Sequence, residues 1–335
     1  MKNIISKNVL IACFILSILG VNAQNTEDLF MNKAFKKALS NKTRSLTGRP
    51  GSNYWQNCAD YKINASFDAE SRMIKGEETI SYFNNSPDTL YNLYFDLIQD
   101  LYKKGTARDW DLGQVDLHDG VNIKFIDIDG VEYELAAIYR NATKMVVKLK
   151  NHFAPKTKHR IEIHWDLIIP GTRTVRMGTY HKTNFMIAYW FPKMAVYDDL
   201  WGWALEPHTG NCEYYNEFGD YDVTITMKAP YILWSTGILQ NELEIFQKNI
   251  LKRLKKSAET DEVVHIVTAD DLLQEKVLKK SDEIVWKFKA FDVPDFAFAA
   301  SKDYIWDATS VESGGRRVNI NAIYKTHSIN FRNVA

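Results

Sequence analysis

Tyr61, Ile63, Ala65 and Phe67 alternate with polar residues, and Val121, Ile123 and Phe125 repeat the pattern. Ile161-Glu-Ile-His-Trp165 and Tyr221-Asp-Val-Thr-Ile-Thr-Met227 extend it, and Ile284-Val-Trp-Lys-Phe288 resumes it late in the chain. Successive side chains of a strand point to opposite faces, so a period of two means one buried and one wet face. A helix cannot satisfy that pattern, and a membrane-spanning helix needs a much longer apolar run. The expectation is a mainly β protein, a sandwich or an open, curved antiparallel sheet. Turn residues support this. Asp129-Gly130 should close a hairpin within 126–135, and Gly314-Gly315 one before Val318 to Tyr324.

Two stretches break the period. In 28–46, Leu29, Phe30, Ala34, Phe35 and Leu39 have helical spacing, and Gly48, Pro50 and Gly51 then end it. Residues 24–52 therefore read as a lead-in to the β region. Between 241 and 256, Leu243, Phe246, Ile250, Leu251 and Leu254 recur at steps of three and four among lysines, as on one face of an amphipathic helix. A second helix is expected within 271–280. The two form a helical excursion, near 241–280, from the sheet.

Residues 1–23 read as a signal peptide. Lys2 and Lys7 precede an apolar run from Val9 to Val21, too short to span a bilayer, and Val21-Asn22-Ala23 ends in a small residue. Leu10-Ile-Ala-Cys13 looks like a lipoprotein cleavage box, but the apolar stretch before Cys13 is only a few residues. Soluble export, to the periplasm or outside, is the expectation. Removing Lys2 and Lys7 takes two from 42 basic residues against 42 acidic ones, leaving a net charge of −2. Such a balance gives no electrostatic case for nucleic acid or an anionic membrane surface. Cys58 and Cys212 survive leader removal. Export permits a disulfide between them, and two separate thiols are the alternative.

Five segments, in order, carry a resemblance. They are Tyr54-Trp-Gln56 with Asp60-Tyr-Lys-Ile63; Gly76-Glu-Glu-Thr-Ile80 with the 84–90 turn; Ala188-Tyr-Trp-Phe-Pro-Lys-Met-Ala-Val-Tyr-Asp-Asp199; the 216–226 segment opening Asn216-Glu-Phe-Gly219; and 293–301 with Ile305-Trp306. Together they resemble the N-terminal domain of the aminopeptidase N family of zinc metallopeptidases, exported bacterial type, over about 53–325. The resemblance implies a β-rich saddle packed on a separate catalytic domain, with 326–335 as the start of a linker. In that family the zinc, its ligands and the general base belong to the next domain. This sequence has no H-E-x-x-H, and no two of its eight histidines are four apart. His159 and His164, five apart in a strand, should face opposite ways. No cofactor is therefore expected in this chain, zinc being that of the complete family enzyme. The implied partners are a catalytic zinc-peptidase domain, in cis or in trans, and a peptide substrate.

The resemblance places Tyr189, Asp198, Asp199 and Glu213 near the edge of a substrate cleft. A second reading makes Tyr189, Trp190 and Phe191 core residues and the aspartates caps of loop amides. Relatives usually carry glutamine before the Phe-Pro pair, and this chain has none between His181 and Pro192. Trp201-Gly-Trp203 with Tyr214-Tyr215 offers an aromatic platform for a peptide or sugar, so a stand-alone binding module is the alternative function. A third is an independent hydrolase using Glu206 and Glu213, which would need a set carboxylate separation and a raised acid. The reading the motifs favour is a non-catalytic domain of an exported zinc aminopeptidase, inactive alone.

Overall fold

The computed structural model describes residues 30–111 and 113–328. The leader and most of the expected linker lie outside the described residues. The chain divides into a short unit ending at Tyr54 and a large one beginning at Trp55.

Among the described residues of the short unit a helix runs from Lys33 to Ser40. It is shorter than the 28–46 pattern suggests, for local reasons. The Asn32 side chain accepts from the Phe35 amide at 2.7 Å and fixes the start. Lys42 turns left-handed at φ 60° and ends the helix. The chain then closes a loop in which the Gly51 amide donates to the Thr43 carbonyl.

The large unit is mainly β. Its principal sheet has eight strands in the order Ile238–Leu239, Glu283–Val293, Gly219–Lys228, Cys58–Asp68, Met73–Asn84, Thr157–Ile168, Asn122–Ile128 and Val131–Glu132. Alternation sets its two faces. Tyr61, Ile63 and Phe67, then Ile74, Ile80 and Tyr82, then Ile161, Ile163 and Trp165 are all buried on one side. Neighbouring strands are antiparallel except one pair: Cys58–Asp68 runs parallel to Gly219–Lys228, with Ile63 opposite Val223. A parallel pair needs a long crossover, and here about 150 residues intervene. That insertion carries a four-stranded sheet (Lys193–Met194, Leu90–Asp96, Lys144–Phe153, Tyr139–Asn141) and most of a five-stranded one (Ile232–Ser235, Phe298–Ser301, Asn184–Ile187, Met177–Tyr180, Arg173–Thr174).

Both hairpins form where the turn pairs place them. Asp129 and Gly130 adopt φ 54° and 81°, and Gly314 and Gly315 φ 59° and 75°, the left-handed pairs that suit strand twist. The helical excursion differs from the expectation. Instead of one helix over 241–256 there are two, Glu242–Ile245 and Lys248–Ser257. Phe246 interrupts them by bridging to Leu278, with its ring buried against Trp286 and Trp306. The second predicted helix is a single short turn, Ala269–Leu273, held by a capping box between Thr268 and Asp271.

Candidate functional site

The segment from Ala188 to Asp199 links three sheets. It leaves strand Asn184–Ile187 of the five-stranded sheet and pairs as Lys193–Met194 with Leu90–Asp96. It ends in a tight hairpin, Tyr197–Asp198 against Gly202–Trp203. Its aromatic residues are the core reading made real. Tyr189, Trp190 and Phe191 are all buried. The Trp190 indole donates to the Phe296 carbonyl at 2.9 Å, and its own carbonyl accepts from the Trp165 indole at 2.8 Å. The Met194 amide donates to the Tyr61 hydroxyl at 3.0 Å.

The other motif segments meet here. Lys193, nearly buried, pairs with Asp295 at 2.6 Å, its ammonium lying over the Phe191 and Tyr214 rings. Asn216 accepts from the same ammonium at 3.4 Å. Gln56 donates to Glu217 at 2.7 Å, Trp55 stacks on Tyr197, and the Tyr197 hydroxyl donates to Asp88 at 2.9 Å. Pieces spread from residue 55 to 296 thus interlock around one junction.

The four residues singled out from the sequence fall into different surroundings. The buried hydroxyl of Tyr189 accepts from Arg176 at 3.1 Å, and burial pushes its pKa up. Glu213 is exposed and takes the same guanidinium in a bidentate pair at 3.0 and 3.2 Å. Arg176 therefore joins Tyr189 to Glu213. Asp198 belongs to a separate group. One of its oxygens accepts from the amides of Leu200 and Trp201 at 2.9 and 2.7 Å, and the other from the Tyr215 hydroxyl at 3.0 Å. It caps a loop, as the second reading has it. Asp199 is half-buried beside it.

Sequence reasoning missed Arg176 and Glu217. Nothing around Arg176 marks it, since its place is set by a left-handed backbone at φ 58°. Glu217 stood within a quoted segment. Burial is the main force on its carboxyl, with the Asp198 charge adding to it and the Gln56 hydrogen bond opposing; its pKa is pushed up to about 7.

The aromatic platform divides. Trp203 packs against Tyr82, Tyr94 and Tyr197, and Tyr214 lies under Lys193. Trp201 and Tyr215 stay exposed (66% and 48%), both bonded to Asp198 through the Trp201 amide and the Tyr215 hydroxyl, with Leu205 and Phe218 exposed in the same loop. The loop is fastened at its start. Lys144, in a buried pair with Asp96, donates to the Ala204 carbonyl, and the His208 amide donates to Thr143.

Among the described residues no three His, Cys, Asp or Glu side chains form a metal-holding group. Four of the eight histidines are engaged separately: His159 on Asp129, His164 on Glu162, His208 on the Cys212 carbonyl and His265 on Asp307. Cys58 and Cys212 are free thiols, half-buried and exposed respectively, so the disulfide weighed from the sequence is not present. Glu206 is exposed, and Glu213 has both oxygens on Arg176.

No protein-family model matches the chain, and no curated protein matches it. Among solved structures it is similar to the M1 zinc metallopeptidase from Deinococcus radiodurans, at 11% identity and a TM-score of 0.45, over 83% of this chain and 49% of that one. A mutant of an M1 zinc metallopeptidase from the same organism, bound to a Tyr-Ser-Ala substrate, is similar at 10% identity and a TM-score of 0.43, over 85% of this chain and 53% of that one. The chain spans about half the length of these structures.

Proposed function

We propose that this chain is a non-catalytic β domain of an exported zinc aminopeptidase, and that the junction around Trp190 and Asp198 faces the catalytic domain and helps to shape its substrate cleft. The observation that carries the reading is the convergence just described. The segments that resemble the family's N-terminal domain are far apart in sequence, yet they bind one another through Lys193–Asp295, Gln56–Glu217 and Trp190–Phe296.

The chemistry of cleavage would come from elsewhere. In a complete enzyme a zinc ion held by the partner domain would polarise the scissile carbonyl and activate water. This chain's residues hold a surface in place. Trp201, Leu205, Tyr215 and Phe218 present apolar area that a packed partner would cover. Asp198 and Glu217 put acidic groups beside it, suited to the ammonium of a peptide's amino terminus. Tyr189 and Glu213 serve through Arg176 as supports for that rim.

An antibody raised against this domain tests the reading in the source cells. The immunoprecipitate should hydrolyse an aminoacyl anilide, and a chelator should abolish the turnover. The purified chain alone, supplied with zinc, should not turn over the substrate. An inactive precipitate, or turnover by the isolated chain, overturns the proposal.

A further inference from the structure

Each described sheet ends on strands of two to four residues, with one exception. Ile238–Leu239 and Val131–Glu132 bound the eight-stranded sheet, Ile232–Ser235 and Arg173–Thr174 the five-stranded one, and Lys193–Met194 and Tyr139–Asn141 the four-stranded one. Short edge strands are a way of denying neighbours a template. Cover is added where a long strand would show. Beyond Ile238–Leu239, Gln240 and Asn241 take up the backbone groups of Lys287 and Val285.

The exception is Arg316–Lys325, ten residues long, at the edge of the three-stranded sheet with Tyr304–Ser313 and Val264–Val267. Its register against Tyr304–Ser313 is unbroken from end to end, so no bulge twists it away. It contains no proline, no glycine and no acidic residue. Val318 and Ile320 are exposed on it. Ser313 and Arg316 flank the two-residue turn and form the hydrogen-bonded pair nearest to it. The pairing then alternates, so Arg317, Asn319, Asn321 and Ile323 aim their N–H and C=O groups at the open side. That is the complement of one further strand.

Charge indicates what kind of strand. Arg317 is tied to Asp261 and to Ser310. Arg316 and Lys325 have no carboxylate in ion-pair reach among the described residues. A second copy of the chain, paired antiparallel through these same outward groups with Asn321 opposite Asn321, would set Arg317 against Lys325 at both ends, and like charges directly opposite are destabilising. An acidic strand has no such conflict.

We propose that the edge of Arg316–Lys325, which no strand among the described residues covers, is a strand-addition site for an extended acidic segment of another polypeptide. Main-chain hydrogen bonds supply the affinity and the two end cations the preference. The site lies on the three-stranded sheet and does not depend on the aminopeptidase reading.

The probe is a fluorescein-labelled, acetylated ten-residue peptide with a glutamate at each end and alternating valine and threonine between them. Anisotropy titration of the whole chain should give saturable binding, and the lysine-ended peptide should bind at least about tenfold less tightly. Asn319→Pro removes an outward N–H that the hairpin does not use, a change an edge strand tolerates. It should weaken binding by about tenfold, with the circular dichroism spectrum unchanged. The double variant Arg316→Glu, Lys325→Glu, which leaves the backbone edge intact, should reverse the preference between the peptides. Slowed amide exchange at Asn319, Asn321 and Ile323 in the complex would place the strand. Absence of saturable binding, equal binding of the two peptides, or a dimer in sedimentation that Asn319→Pro dissolves would each overturn the proposal.

Discussion

Tyr61 and Tyr221 stack face to face across the one parallel strand pair of the large sheet, with ring centroids 4.8 Å apart and planes 7° from parallel. The Tyr61 hydroxyl goes on to accept the Met194 amide, tying that pair to the 188–199 segment. Tyr61→Phe keeps the stack and removes the acceptor. A buried amide left without a partner costs about 1–3 kcal/mol. The urea midpoint should fall accordingly, with an unchanged slope.

Glu78 sits on the apolar face of the same sheet, between Ile63 and Ile163, wholly buried and with neither carboxyl oxygen hydrogen-bonded. Burial lifts its pKa well above the ordinary carboxylate range, and Tyr61 and Tyr221 are titratable groups that feel its charge. The folded chain holds Glu78 protonated, while the unfolded chain ionises it near its ordinary value. Its contribution is therefore intact at low pH and declines as pH rises through the carboxylate range towards the raised folded value. The limiting slope for one group is about 1.4 kcal/mol per pH unit. Glu78→Gln should be more stable than the wild type at neutral pH. The difference between the two should grow from pH 5 to 8 in urea titrations, and a constant difference would refute the assignment.

Glu78 also shows where the sequence stops informing. Its segment, Gly76 to Ile80, entered the sequence reading only through the family resemblance, and the strand parity that buries Ile74, Ile80 and Tyr82 puts a carboxylate in the core with no local sign of it. The Asp129-Gly130 and Gly314-Gly315 turns were legible because the left-handed backbone they need is a property of those residues. The parallel pairing of Cys58–Asp68 with Gly219–Lys228 was not, since alternation fixes a face and says nothing about a neighbour 150 residues away. Likewise Phe246 fits a helical stripe by spacing, and the helix breaks there because its ring is taken by Trp286 and Trp306. In the site, aromatic mass predicted burial for Tyr189, Trp190 and Phe191, whereas Arg176 owes its role to Tyr189 and Glu213 arriving from two other segments.

Gly76 faces Trp165 across the sheet so closely that an added Cβ would lie 2.5 Å from the indole ring. The indole cannot withdraw freely, because its N–H is committed to the Trp190 carbonyl. Gly76→Ala should thus cost about 1–3 kcal/mol by overpacking, despite the better strand propensity of alanine. The perturbation should appear in tryptophan fluorescence as well as in the denaturation midpoint.

Asp198 and Glu217 are coupled through space, and Gln56 moderates the coupling. With the Glu217 carboxyl at about 7, the group is half-protonated near neutrality. Its folded value is raised, so its contribution to stability is present in acid and is lost as pH climbs from the ordinary carboxylate range through about 7. Asp198→Asn removes a like charge and should lower the Glu217 titration midpoint. Gln56→Ala removes a hydrogen bond to the charged form and should raise it. Carbon-13 NMR of the side-chain carboxyl reads both shifts directly. If the rim accepts a peptide ammonium, titration in the presence of an amino-terminal dipeptide should also lower the midpoint, because a cation beside the carboxyl favours its ionised form. A midpoint near that of a free carboxylate, unmoved by either substitution, would show that Glu217 is solvated and that the rim lacks the buried acid assigned to it.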